Sequence, residues 1–215
     1  MQELGLIETV IAWSIPILFG ITVHEVAHGW VANSLGDSTA RLQGRLTLNP
    51  IRHIDPVGTI LVPALMVMLT GFIFGWAKPV PVNWQRLGHP RRDMALVAAA
   101  GPLANLVMML IWAFIAKLVF VAGIEASLVA PFILTMVKVG IIINIILMVL
   151  NLLPLLPLDG GRVMTSLLPP DLAEKYARLE PYGLIILVVL LVTGVLVRII
   201  GPIIFGLEHL IYQLL

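Results

Sequence analysis

His24 and His28, with Glu25 directly after the first of them, form the pattern His-Glu-x-x-His. On a helix, residues four apart lie one turn apart on the same face, so both imidazoles can reach one tetrahedral metal ion with Glu25 beside them. The chemistry this permits is hydrolysis, with a metal-activated water as nucleophile and a carboxylate as general base. So short a pattern also recurs by chance in helices that bind nothing. Here it closes an apolar run that starts near Leu6, and three ionisable side chains at membrane depth are costly unless they are paired, face a cavity or bind something. Metal binding is the natural explanation.

A catalytic metal held by two histidines wants a third protein ligand. The chain has no cysteine, which excludes disulfides and thiolate ligands and leaves imidazole and carboxylate, the donor set of catalytic zinc sites. The carboxylate best placed is Asp159, in Asn151-Leu-Leu-Pro154-Leu-Leu-Pro157-Leu158-Asp159-Gly160-Gly161. Pro154 and Pro157 cannot continue a regular helix, and the glycine pair frees the backbone just beyond, so the chain breaks where the aspartate must turn inward. The competing reading is an interfacial aspartate that begins a loop and caps the segment after it. A tetrahedral oxyanion also needs donors, and Asn151 and Asn105 are the candidate amides in apolar surroundings. Buried asparagines equally serve to glue membrane helices together, the role expected of Asn144.

These residues must be positioned by elements that live in lipid. The composition, 60% hydrophobic and 12% charged over 215 residues, is that of an integral membrane protein. Apolar stretches cover residues 4–23, 57–75, 94–116, 139–158 and 183–197, with a shorter one at 199–207, so five to six hydrophobic segments are expected in an all-α polytopic fold. Residues 41–48 alternate polar and apolar side chains, and Pro79 and Pro81 stand two apart in 78–83; both read as strands, a small β element near the cytoplasmic membrane surface that could seal the helix ends or pair with an extended substrate. No linker, repeat or long polar tract divides the chain, so residues 1–215 are expected to form one membrane-embedded domain.

Charge bias orients the segments. Arg41, Arg45 and Arg52 follow the first helix, and Lys78, Arg86, Arg91 and Arg92 precede the third apolar stretch, which places both basic loops in the cytoplasm. His28 then lies about 9 Å, and His24 about 15 Å, in from the cytoplasmic end of the first helix. Asp159 reaches the same depth only if 57–75 enters and leaves on one side; Gly58, Pro63 and Gly71 suit such a broken or re-entrant segment. His53, His89 and His209 read as interfacial or surface residues.

The ordered pair of His-Glu-Val-Ala-His on a membrane helix and Asn-Leu-Leu-Pro-Leu-Leu-Pro-Leu-Asp-Gly resembles the site-2 protease family of intramembrane zinc metalloproteases, whose second signature, NxxPxxxLDG, is matched at Asn151, Pro154, Leu158, Asp159 and Gly160. Gly101-Pro102-Leu103-Ala104-Asn105 resembles that family's GPxxN element, so the likeness runs from about Val23 to Arg162. It implies one zinc ion per chain held by His24, His28 and Asp159, with Glu25 activating water, used to cut transmembrane segments of other proteins, in a minimal form without appended sensor domains. The partners it implies are a membrane-protein substrate and the lipid bilayer, with no nucleic acid. The setting is a prokaryotic cell membrane, with the site toward the cytoplasm. Two other readings keep the same residues: a metal-ion transporter, which would string ligands along a path, and a proteolytically silent binder of membrane proteins, against which an intact Glu25 argues.

Overall fold

The computed structural model describes residues 4–62, 65, 68 and 75–215. Helix α1 (Leu6–Ser34) carries the His-Glu-x-x-His pattern near its C-terminal end, and a single turn, α2 (Thr39–Leu42), follows it. After a short 3-10 turn (Pro50–His53) and a π turn (Pro56–Leu61), the chain re-emerges at Gly75 and leads through another 3-10 turn (Trp84–Arg86) to α3 (Pro90–Val121). Pro90 opens α3, where a missing N–H costs nothing, and the Asp93 carboxylate accepts the His89 N–H at 2.7 Å. Then come α4 (Ala130–Asn151), α5 (Asp159–Leu167), α6 (Pro170–Ala177), α7 (Glu180–Val192) and α8 (Val195–Leu214).

Helices α1, α3 and α4 pack against one another, α5 lies on α3, and α8 lies on α4 and α7. The core forms where Met109, Trp112 and Ala116 of α3 meet Ile141, Ile145 and Val149 of α4, with Leu187, Leu196 and Ile200 added by α7 and α8. Large apolar side chains such as Leu103, Val107, Phe114, Ile185 and Val189 stay exposed on the outer faces, as lipid-facing positions do.

Among the described residues four helices, α1, α3, α4 and α8, are long and apolar enough to cross a membrane, slightly fewer than the five to six segments expected. The stretch 183–197 is not one element: Gly194, at φ +72, turns the chain between α7 and α8, and α7 with 13 residues reaches only ~20 Å. Expected span 139–158 is displaced, since the helix starts at Ala130 and stops at Asn151, before the first proline of the break. Most of 63–74 lies outside the described residues, yet the two ends of 57–75 lie side by side. Trp76 N–H donates to Gly58 O at 3.0 Å, the Thr59 hydroxyl to Trp76 O at 2.9 Å and Lys78 N–H to His53 O at 2.9 Å.

The expected β element is absent: no strand occurs among the described residues. Residues 41 and 42 of the first candidate coil into the end of α2 instead, and 43–48 form no regular element. In 78–83 the prolines remove alternate donors, and several of the groups that remain are claimed by side chains rather than by a ladder. Val80 N–H donates to Glu25 Oε2 at 2.8 Å, Asn83 N–H to Asp37 Oδ2 at 2.6 Å, and Lys78 O and Pro79 O accept from Arg45 Nη2 at 2.8 and 3.3 Å. Residues 78–83 form a strap laid along α1.

Candidate metal centre

The geometry of α1 brings His24 and His28 to one face, with their Nε2 atoms 3.1 Å apart. Asp159 joins them because α4 ends at Asn151, residues 152–158 double back, and Asp159 becomes the first residue of α5, its Oδ2 3.3 Å from each Nε2. Gly183 of α7 seats this turn: a Cβ there would fall 1.6 Å from Leu156 O. Side chains from two distant segments of the chain therefore meet at one place.

Each imidazole is fixed from behind. His24 Nδ1–H donates to Asn105 Oδ1 at 2.6 Å, and His28 Nδ1–H donates to Val97 O at 2.7 Å, both acceptors being on α3. With the protons on Nδ1, both Nε2 atoms carry lone pairs, and they face each other and a carboxylate oxygen. Asp159 Oδ2 is buried and has no hydrogen-bond donor. Three acceptor atoms converging with no proton between them repel unless a cation sits among them. Ligands ~2.0–2.1 Å from a tetrahedral zinc stand about 3.3 Å apart, so the donor set, its spacing and its orphaned oxygen all fit that ion. Among the described residues this is the one group of three or more His, Cys, Asp or Glu side chains close enough to share a metal.

Helix α3 can approach so closely because Gly101 has no side chain. A Cβ there would lie 2.4 Å from His28 Nε2 and 2.5 Å from His24 Cε1.

Asn105 is brought to the centre, though in a different position from that expected. Its carbonyl holds His24, and its amide protons go to Gly20 O at 3.2 Å and Asn144 Oδ1 at 2.8 Å, leaving no donor for an oxyanion. Asn144 in turn donates to Gly140 O at 2.8 Å, so a fully buried amide chain links α1, α3 and α4 behind the first histidine. Asn151 is not joined to the group; its amide donates to Leu147 O at 2.9 Å, one turn back on its own helix. Glu25 lies beside the histidines with Oε2 taken by Val80 N–H, while Oε1 accepts from no described residue. Val97 O and Val80 N–H carried no signal in the sequence, since backbone groups are invisible to side-chain patterns; the only hint was a glycine four residues after Val97.

Residues 119–194, which include Asn151 and Asp159, match the model of a family described as Peptidase family M50. The chain is 43% identical over 182 residues to "Putative zinc metalloprotease YwhC" of Bacillus subtilis, an alignment covering 83% of this chain and 79% of that protein. It is 31% identical over 189 residues to "Putative zinc metalloprotease Rip2" of Mycolicibacterium smegmatis, covering 84% and 66% of the two chains. With the protein of the same name from Mycobacterium tuberculosis (H37Rv) the identity is 30% over 173 residues, 80% of this chain and 63% of that one. No solved structure matches the chain.

Proposed function

The chain belongs to peptidase family M50, the site-2 protease family, and is a membrane-embedded zinc metallopeptidase; from that premise we propose that it is an intramembrane endopeptidase that cuts transmembrane segments of other proteins. The observation that carries the reading is the set of three lone-pair atoms of His24, His28 and Asp159 within 3.3 Å of one another, beside Glu25 and roughly 9–15 Å along α1 from its end at Ser34. A centre at that depth meets a peptide bond in lipid rather than one in a soluble chain.

His24, His28 and Asp159 would hold one zinc ion per chain. When bound, it supplies Lewis acidity, polarising the scissile carbonyl and acidifying water. Glu25 takes the proton of the attacking water on its free oxygen and returns it to the leaving amine. Asn105 and Val97 keep both imidazoles in the Nδ1–H tautomer, so that Nε2 stays available for the metal. Asn151 retains a second amide proton beyond the one given to Leu147, and that proton is the donor proposed for the oxyanion. The basic residues after α1 and before α3 favour a cytoplasmic position for this end, in a prokaryotic cell membrane.

The test is zinc content of purified wild-type, Glu25→Gln and Asp159→Ala protein, read with cleavage of a helix-destabilised transmembrane reporter in the same detergent. Near one zinc per chain in wild type and Glu25→Gln, cleavage by wild type alone, and weakened zinc in Asp159→Ala are expected. Undiminished cleavage by Glu25→Gln sinks the general-base role.

A further inference from the structure

We propose that Arg45 is a positioning residue for catalysis, acting through the strap 78–83 to hold Val80 N–H against the carboxylate of Glu25; this rests on Glu25 being the general base. Non-helical backbone at membrane depth persists only where it is buried in protein or lines a cavity, and Glu25 lies nine residues, ~14 Å, before the end of α1. The strap reaches that depth. Val80 is only 7% exposed, and its side chain is seated on Gly29, where a Cβ would come within 2.7 Å of Val80 Cγ1.

Arg45 is 8% exposed and has no acidic partner among the described residues, an expensive placement for a cation that serves only as a topology signal. Its hydrogen bonds go to Lys78 O and Pro79 O, the two carbonyls that precede the Val80 N–H. Pro79 and Pro81 lack N–H groups, so Val80 is the single backbone donor between Lys78 and Val82. At the far end, Asp37 takes the Asn83 N–H. Pinned on both sides, the strap offers Glu25 a fixed donor. A carboxylate held through Oε2 presents Oε1 in one direction, toward a water it must deprotonate; unpinned, it would sample rotamers and lose the near-attack geometry.

The experiment uses the full chain in detergent with the transmembrane reporter, measuring kcat, KM and zinc content together for Val80→Pro, Val80→Ala, Arg45→Ala and Arg45→Lys. Val80→Pro deletes the N–H in a segment already rich in proline, whereas Val80→Ala keeps it and trims the side chain. The expected result is a roughly 10- to 100-fold fall in kcat for Val80→Pro and Arg45→Ala, with zinc and KM near wild type, partial recovery in Arg45→Lys, and a smaller loss in Val80→Ala. Wild-type kcat in Val80→Pro overturns the proposal. So does raised KM with unchanged kcat, which would make the strap a substrate-binding element, or joint loss of zinc in Val80→Pro and Arg45→Ala, which would make it a support of the fold. Glu25→Gln runs alongside. If that variant cleaves normally, the base assignment itself has failed; if it is inactive while Val80→Pro and Arg45→Ala are unimpaired, only the role of Arg45 has.

Discussion

His24 and Glu25 are neighbours in sequence and are held by opposite kinds of structure. The histidine is gripped from behind by helices, its Nδ1 on Asn105, whose own amide is fixed by Gly20 O and by Asn144 of α4. The glutamate is gripped from the front by a strap without regular structure, itself hung from Arg45 and Asp37. Metal geometry tolerates little error, and packed helices supply rigidity through many small contacts. The base role proposed for Glu25 needs one oxygen held and the other open to water, which a single backbone donor provides. The two regions should therefore fail differently under mutation: helix-side changes should remove metal and activity together, strap-side changes activity alone.

Gly101→Ala is the most severe test of the helix side. The added Cβ would fall 2.4 Å from His28 Nε2 and 2.5 Å from His24 Cε1, so either the imidazoles or the helix must shift. Zinc content and reporter cleavage are expected to fall together, cleavage by roughly 100-fold or more. A variant that kept its zinc and lost only turnover would erase the distinction between the regions.

Asn105→Leu should come next in severity. It leaves His24 in place and removes its hydrogen-bond partner, an outer-shell change worth roughly 10- to 100-fold in metal affinity. Asn144→Leu, one amide further back, should cost only a few-fold, because Gly20 O still holds Asn105. Chelator competition measured on both variants orders them; equal losses would mean that the amide chain acts as one unit.

How much of this was legible in the sequence obeys the same divide. The membrane class, the two histidines with the helix that carries them, and the carboxylate at the break were read from residue type and from the 3.6-residue period, which are local properties. Asn105 stood out as an amide in an apolar run, but whether it faced substrate or a histidine depended on the packing of three helices. The strap was misread as a strand because prolines two apart describe an extended chain without saying what takes its hydrogen bonds. Here Glu25, Arg45 and Asp37, from 33 to 55 residues away, take them. Arg45 was read as a topology charge for the same reason: burial against two carbonyls leaves no local mark. The split of 183–197 turned on a positive φ at Gly194, which a hydropathy run conceals.

The smallest expected effect belongs to the outer anchor of the strap, and pH isolates it. Asp37 is fully buried between α1 and α2, where burial alone would raise its pKa. Donors from the Thr39 hydroxyl, Asn83 N–H and Thr39 N–H, together with the charge of Arg86, outweigh that cost and hold the carboxyl below its ordinary 3.8. A pKa lowered by folding means that the ionised form is preferred in the native state. Its stabilisation is fully present above the unfolded value and disappears as pH falls through the folded one. Asp37→Asn should thus lower unfolding stability by about 1–2 kcal/mol at pH 7 while zinc content is unchanged. Comparing wild type with the variant cancels the acid response of every other carboxylate, including any loss of metal. The gap between them is expected to narrow below pH 3.8. A gap of equal size at pH 7 and pH 3 would show that Asp37 holds the strap by shape, not by charge.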